Sequence, residues 1–350
     1  MMSLSASAPA RLLDRLSNMK YAIALLTLFC GSLPVMAADG PDPKNGEKAV
    51  RLLTIGNSFS KNTTRFLPDI VSAAGHRLIH TPIVVGGASL ELHAQKAQRH
   101  ESNPLDPAGL YANGTSLKQE LGRDKWDFVT IQQASIKSHD VTTFRPFAAW
   151  LCDYIRQHAP GAEVLLHQTW AYRCDDPRFK TDNPKPGEPT TQAEMYRGLR
   201  DAYGSIAKEL RLRQLPVGDA FNLADTDPKW GFVPDTTFSF KTAKYPALPD
   251  QTHSGHVGWQ WKTLKDDTRV IRMDGHHANM AGEYLGACVW FEVLFDADVV
   301  GNAFVPPGMD RAHARFLQEI AHRAAAPSRA QARPAQSRRS GLRGLRVLRG

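Results

Sequence analysis

From about residue 48 to residue 323, short apolar runs alternate with stretches of helical period. Few folds satisfy that rhythm: it is what stacked βαβ units produce when a parallel sheet is covered on both faces. The first run, Val50-Arg51-Leu52-Leu53-Thr54-Ile55, predicts a strand. Phe66, Leu67, Ile70, Val71 and Ala74 then recur at helical spacing, with Gly75 placed to end the helix. Leu78 to Val85, Phe128 to Ile131 and Val164 to Thr169 read as further strands, and Leu215 to Ala220 as a fifth. Helical patterns at Phe147 to His158 and Ala193 to Leu212 flank the Val164 strand, and Ala281 to Phe295 is apolar nearly all round, as a buried helix would be. The predicted class is α/β, a three-layer α/β/α sandwich around a mostly parallel five-stranded sheet.

Two stretches break the rhythm. Residues 223–270 are rich in Pro, Gly, Trp and Phe without a sustained period, and so long a connection in a compact domain reads as a functional insertion. Trp230, Phe232, Phe238, Phe240, Trp259 and Trp261 concentrate there, suited either to sugar rings or to packing the insertion onto the body. Residues 324–350 hold seven arginines, no acid and no periodic hydrophobics, which predicts a disordered tail.

That tail also explains the formal charge of +8, because together with a small positive excess in residues 1–37 it leaves residues 38–323 nearly neutral. A basic nucleic-acid groove is therefore not expected. Met19-Lys20, the apolar run Tyr21 to Leu33 and the small-residue close at Val35-Met36-Ala37 describe a secretory signal cleaved near Ala37, with residues 1–18 as an upstream extension. The expected location is periplasmic or extracellular, and the run falls short of the roughly 20 residues that span a bilayer, so no stable membrane insertion of the mature chain is expected. Past the signal stand Cys152, Cys174 and Cys288, an odd number that argues against a disulfide framework. Whether Cys152 and Cys174 pair is left open.

Two short segments carry chemistry. Gly56-Asn57-Ser58 ends the first strand just ahead of a helix, so Ser58 stands at the carboxyl rim of the sheet, where ligands bind in such folds. More than two hundred residues later, Asp274-Gly275-His276-His277 precedes the apolar helix. A serine hydroxyl needs a base within hydrogen-bond reach, itself held in one tautomer by an acceptor, and His277 with Asp274 can meet that need.

In these segments the chain resembles the SGNH hydrolases, or GDSL-like esterases, in a form that reads Gly-Asn-Ser-Phe. The resemblance implies a flavodoxin-like sandwich over residues 38–323, with Ser58 as nucleophile and His277 and Asp274 as base and orienter. Asn57 replaces the family's usual Asp. Val85-Gly86-Gly87-Ala88-Ser89 is similar to the block whose glycine N–H joins the oxyanion hole, with Gly87 as donor beside the Ser58 N–H. The family's Gly-x-Asn-Asp block is replaced by Ile131-Gln132-Gln133-Ala134-Ser135; a glutamine amide offers the same donor chemistry, as in the sialic-acid acetylesterases, so Gln132 is the expected third donor and Gln133 the alternative. His276 is expected to be structural.

The implied reaction is acyl transfer through a Ser-His-Asp triad, with no metal or cofactor. Its expected partner is a small-molecule or glycan ester, most simply a short acyl group such as acetyl on carbohydrate, contacted by Asn57, Trp259 and Trp261. Two rivals stand beside it. His253, His256, His276 and His277 lie close enough in sequence for a metal-dependent hydrolase, and the same fold could serve a non-catalytic carbohydrate-binding protein.

Overall fold

Along strand β1 (Ala49–Gly56), Val50 and Leu52 enter one apolar cluster while Leu53 and Ile55 enter another. Such a strand is stable only with helices on both sides. The computed structural model describes residues 46–181 and 186–332, and it supplies those helices in the order α1 (Ser58–Thr64), α2 (Leu67–Ala73), β2 (Arg77–Val84), α3 (Leu90–Ser102), α4 (Leu117–Gly122), β3 (Phe128–Ile131), α5 (Phe147–His158), β4 (Glu163–His167), α6 (Gln192–Leu210), β5 (Arg213–Leu215), α7 (Val217–Asp225), β6 (His256–Thr263), β7 (Arg269–Ala278), α8 (Met280–Phe295) and α9 (Arg311–Ala330). The five strands β2-β1-β3-β4-β5 pair in parallel throughout. Residues of α2, α7, α8 and α9 fill the first cluster, and those of α3, α4, α5 and α6 fill the bulk of the second. The result is the expected three-layer sandwich, and because β1 has β2 on one side and β3 on the other, the winding reverses there. A crevice opens at the carboxyl ends of β1 and β3 for that reason.

The fifth strand is shorter than its sequence suggests. Only Arg213–Leu215 pairs with β4, and the rest of the expected strand belongs to α7. Pro216 has no N–H to extend a ladder, and Val217, Ala220, Phe221 and Ala224 repeat at helical spacing, with the first three buried.

Residues 226–255 are largely irregular, as expected of the insertion, but β6 and β7 form an antiparallel hairpin that leads directly into α8. A buried cation organises this region. Arg173, 1% exposed, pairs with Asp175 at 2.6 Å, donates to Gln251 Oε1 at 2.7 Å, and lies 4.4 Å over the Phe232 ring.

The predicted tail begins too early. Helix α9 continues to Ala330, with Ala324, Ala325 and Ser328 buried, and Arg329 reaches the fully buried Glu292 carboxylate on α8 at 2.6 Å. Arginine content concealed a docking contact, since a buried carboxylate needs a partner. Residues 1–37, where the secretory signal is expected, and the arginines beyond residue 332 lie outside the described residues. Cys152 and Cys288 are buried, Cys174 is exposed, and all three are free thiols. No helix among the described residues is long and apolar enough to cross a membrane.

Three fully buried imidazoles couple this fold to pH. Desolvation lowers the pKa of His93 and His256 to about 4 and that of His167 to about 3. In the unfolded chain each returns to about 6.5, so at neutral pH neither state binds the proton and the contribution is complete. As pH falls from 6.5 toward 4, only the unfolded chain takes up protons, and stability declines. The melting temperature is therefore expected to drop steadily across that window, and less steeply for His167→Gln. A flat melting temperature from pH 6.5 to pH 4 would contradict this.

Candidate active site

Gly56 closes β1 with no room for a side chain, since a Cβ there would collide with Ser60 Oγ and lie 2.8 Å from Gln132 Oε1. The chain then turns through Asn57, which caps α1 by accepting from the Phe59 N–H at 3.0 Å. Asn57 is 2% exposed and braces three segments at once: its Nδ2 donates to the Ala88 carbonyl at 2.9 Å, and its Oδ1 accepts from Gln132 Nε2 at 2.6 Å. An aspartate could not donate to Ala88, which gives the asparagine a physical reason. From the other side, His93 Nε2 contacts the Gly56 carbonyl at 3.1 Å. Ser58 is thereby held at the first position of α1.

The base arrives on the hairpin. Trp170 Nε1 donates to the His276 carbonyl at 2.9 Å and the Arg173 N–H to the Gly275 carbonyl at 2.8 Å, tying the end of β7 to the segment after β4. His277 Nε2 then stands 2.9 Å from Ser58 Oγ, while its Nδ1 lies 3.1 Å from both Asp274 oxygens and its main-chain N–H donates to Asp274 Oδ1 at 3.1 Å. Partial burial by itself would raise the Asp274 pKa, but the hydrogen bonds from His277 and the nearby imidazoles outweigh it and hold the carboxyl below its usual range. Ser58, His277 and Asp274, predicted from opposite ends of the sequence, thus meet at hydrogen-bond distances.

A cleft of about 340 Å³ opens in front of them, lined by Asn57, Ser58 and Phe59, by Gly87, by Ala134, Ser135 and Ile136, and by Tyr172, Arg178, His276 and His277. Gly87 has φ +67, a conformation that favours glycine. Among the described residues neither the Ser58 N–H nor the Gly87 N–H has an intramolecular acceptor, so both remain available to an oxygen in the cleft.

Several expectations change. Gln132 is 1% exposed and points beneath the nucleophile turn, where its Oε1 accepts from Ser60 Oγ and lies 2.9 Å from His167 Nδ1. Gln133 is fully buried, and its Nε2 donates to the Thr143 carbonyl at 2.7 Å. Neither glutamine lines the cleft, so the third oxyanion donor assigned to them is not there; Gln132 braces Asn57 instead. Trp259 and Trp261, expected to contact substrate, are also absent from the lining: Trp259 packs 4.5 Å from Phe240 and donates to Asp175, and Trp261 donates to the Ala247 carbonyl. Asn57 does reach the lining, but its polar atoms are engaged in bracing the turn.

His276, expected to be structural, lines the cleft, with its Nδ1 3.3 Å from Asp274 Oδ1. The four-histidine cluster of the metal reading does not assemble. His253 packs against Trp230, and buried His256 contacts the Ala171 carbonyl at 3.0 Å; among the described residues only Asp274, His276 and His277 gather closely at this site. Ser135, Tyr172 and Arg178 were missed. Their signal was positional: the loops after β3 and β4 open on the same rim as Ser58.

Residues 51–209 match a family described as a domain of unknown function, DUF4886. A crystal structure of a DUF4886 family protein from Bacteroides uniformis ATCC 8492 is 26% identical and superposes with a TM-score of 0.59, covering 80% of this chain and 96% of that one. This chain is similar to DUF4886 proteins in sequence and in fold. More distant structures include a candidate SGNH hydrolase from Slackia heliotrinireducens (20% identity, TM-score 0.40, covering 70% of this chain and 98% of that one). Another is a candidate GDSL-like lipase from Parabacteroides merdae ATCC 43184 (13% identity, TM-score 0.39, covering 70% and 95%). No curated protein matches the chain.

Proposed function

We propose that this protein is a serine ester hydrolase that removes short acyl groups, acetyl foremost, from carbohydrate. One observation carries the reading: Ser58 Oγ lies 2.9 Å from His277 Nε2, while His277 Nδ1 is held by the Asp274 carboxylate. In that arrangement the imidazole accepts the hydroxyl proton as Ser58 attacks the ester carbonyl. The Ser58 and Gly87 N–H groups stabilise the oxyanion, His277 returns the proton to the departing alcohol, and water, activated by the same imidazole, releases the acid.

Small residues frame the nucleophile, with Gly87, Ala134 and Ser135 in the lining, and a cleft of about 340 Å³ stands at the low end for ligand sites. A long acyl chain needs an extended apolar wall, and the large apolar side chains here are Phe59, Ile136 and Tyr172. Glycan esters outside the cytoplasm fit the export expected from the sequence, and in this reading the enzyme acts after export.

The test is labelling by a serine-directed phosphonate together with acetate release from a panel of acetylated glycans. Modification at Ser58 with parallel loss of acetate release, both indifferent to chelators, is the expected result. Activity that survives the phosphonate and disappears on metal removal would overturn the reading.

A further inference from the structure

The cleft in front of Ser58 holds a cation that ester hydrolysis does not require. Among the described residues its lining contains the Arg178 guanidinium, the His276 and His277 imidazoles and no carboxylate, with the Asp274 carboxylate in contact with both imidazoles. The Arg178 guanidinium sits 5.0 Å over the Tyr172 ring, the Tyr172 ring is 5.5 Å from His276, and His276 is 4.2 Å from His277. One wall therefore runs from the imidazole beside Ser58 out to the guanidinium. Tyr172 itself is fixed by a 3.0 Å hydrogen bond between its hydroxyl and Ser135 Oγ.

Three arginines packed into the fold are neutralised. Arg173 pairs with Asp175 at 2.6 Å, Arg213 with Glu163 at 2.7 Å and Arg329 with Glu292 at 2.6 Å. Arg178 forms no ion pair among the described residues. Its main-chain N–H donates to Asp176 Oδ1 at 2.9 Å, but that carboxylate is buried against Gly275. A guanidinium is planar and carries its donors along its edges, the geometry that a carboxylate accepts in bidentate fashion.

We infer that this wall is a carboxylate subsite, so that the substrate is an ester bearing a carboxylate, with an acetylated acidic sugar as the form that fits the cleft. The inference rests on the esterase reading of the same site. It assigns Arg178 to recognition, with Tyr172 as its platform.

The experiment compares kcat/KM for acetate release by the full chain on an acetylated uronic acid glycoside and on the methyl ester of the same compound, which lacks the charge and carries one more methyl group. A preference of about tenfold for the acid is expected, as charge-assisted hydrogen bonds at a partly exposed site give, and it should shrink in about 0.5 M salt. In Arg178→Glu the ratio is expected to fall to one or below, and Arg178→Lys to retain part of it. A hemi-ester of a dicarboxylic acid forms a second arm: preference there, with none for the uronate, places the carboxylate on the acyl side and keeps the subsite.

Equal rates for acid and methyl ester in the unaltered chain, with acetate still released, would defeat the subsite and leave the esterase standing. If no ester is cleaved, the esterase reading fails by itself, and titration of the free uronate decides the subsite. Binding weakened by Arg178→Glu supports it, and unchanged binding defeats it.

Discussion

Ser58→Ala is expected to abolish ester hydrolysis, with kcat falling on the order of 10⁵-fold or more, while the fold melts within about 1 kcal/mol of the unaltered protein. The two halves of that expectation have separate causes. The hydroxyl's hydrogen-bond partner is His277 Nε2, so its removal takes away the group that attacks and little that supports. The turn that presents it is secured by its neighbours: Asn57 bonds the Phe59 N–H, the Ala88 carbonyl and Gln132 whether or not position 58 carries a hydroxyl. Ser60 cannot stand in, because it is 1% exposed and donates to Gln132 Oε1. Hydrolysis of p-nitrophenyl acetate beside a thermal melt gives both readouts. Turnover near that of the unaltered protein would remove Ser58 from the chemistry, and a collapse of the melt would mean that the hydroxyl has a structural task.

The residues that were legible in the sequence are those whose role needs a particular functional group at a strand end. Gly56-Asn57-Ser58 and Asp274-x-x-His277 could be read because an activated serine requires both a turn and an oriented base. The two-sided burial of β1 could be read because it shows in the sequence as a near-continuous apolar run. Gln132 was misassigned for a reason of direction. A side chain just past a strand end can turn outward to the cleft or inward beneath the turn, and composition is the same in either case. Here the inward choice satisfies Asn57, Ser60 and His167 together.

Composition misled at two other places. At Leu215–Ala220 a short apolar run around a proline reads as a strand, although from Val217 onward the burial pattern is helical. In α9 the buried stripe of Phe316, Leu317, Ile320 and Ala321 continues through Ala324 and Ala325, past the point where an arginine-rich composition predicts disorder. The cluster around Arg173 and the exposure of Arg178 depend on contacts between segments far apart in the chain, which no local pattern encodes.

Asp274→Asn is expected to lower kcat by about 10⁴-fold, the size of loss that follows when a catalytic imidazole is held in the wrong tautomer. The carboxylate accepts from His277 Nδ1, which leaves Nε2 bare to take the Ser58 proton. An asparagine in the same place can turn its amide toward Nδ1 and donate, and the ring must then carry its proton on Nε2, where it donates to Ser58 and cannot act as base. Geometry is nearly conserved and the chemistry is lost, which separates this variant from one that merely loosens the loop. His276 Nδ1 also lies 3.3 Å from Asp274, so the substitution perturbs the cleft wall as well and KM is expected to move with kcat. A pH measurement adds an independent arm. Because the folded-state pKa of Asp274 is depressed, its contribution to stability is complete above the unfolded value of about 3.9 and is lost as pH falls below it. The asparagine variant should therefore lose less stability than the unaltered protein when acidified below pH 4. Retention of a tenth or more of the original kcat would show that His277 finds its tautomer without the carboxylate, and the hydrogen bonds at 3.1 Å would then serve the hairpin and not the reaction.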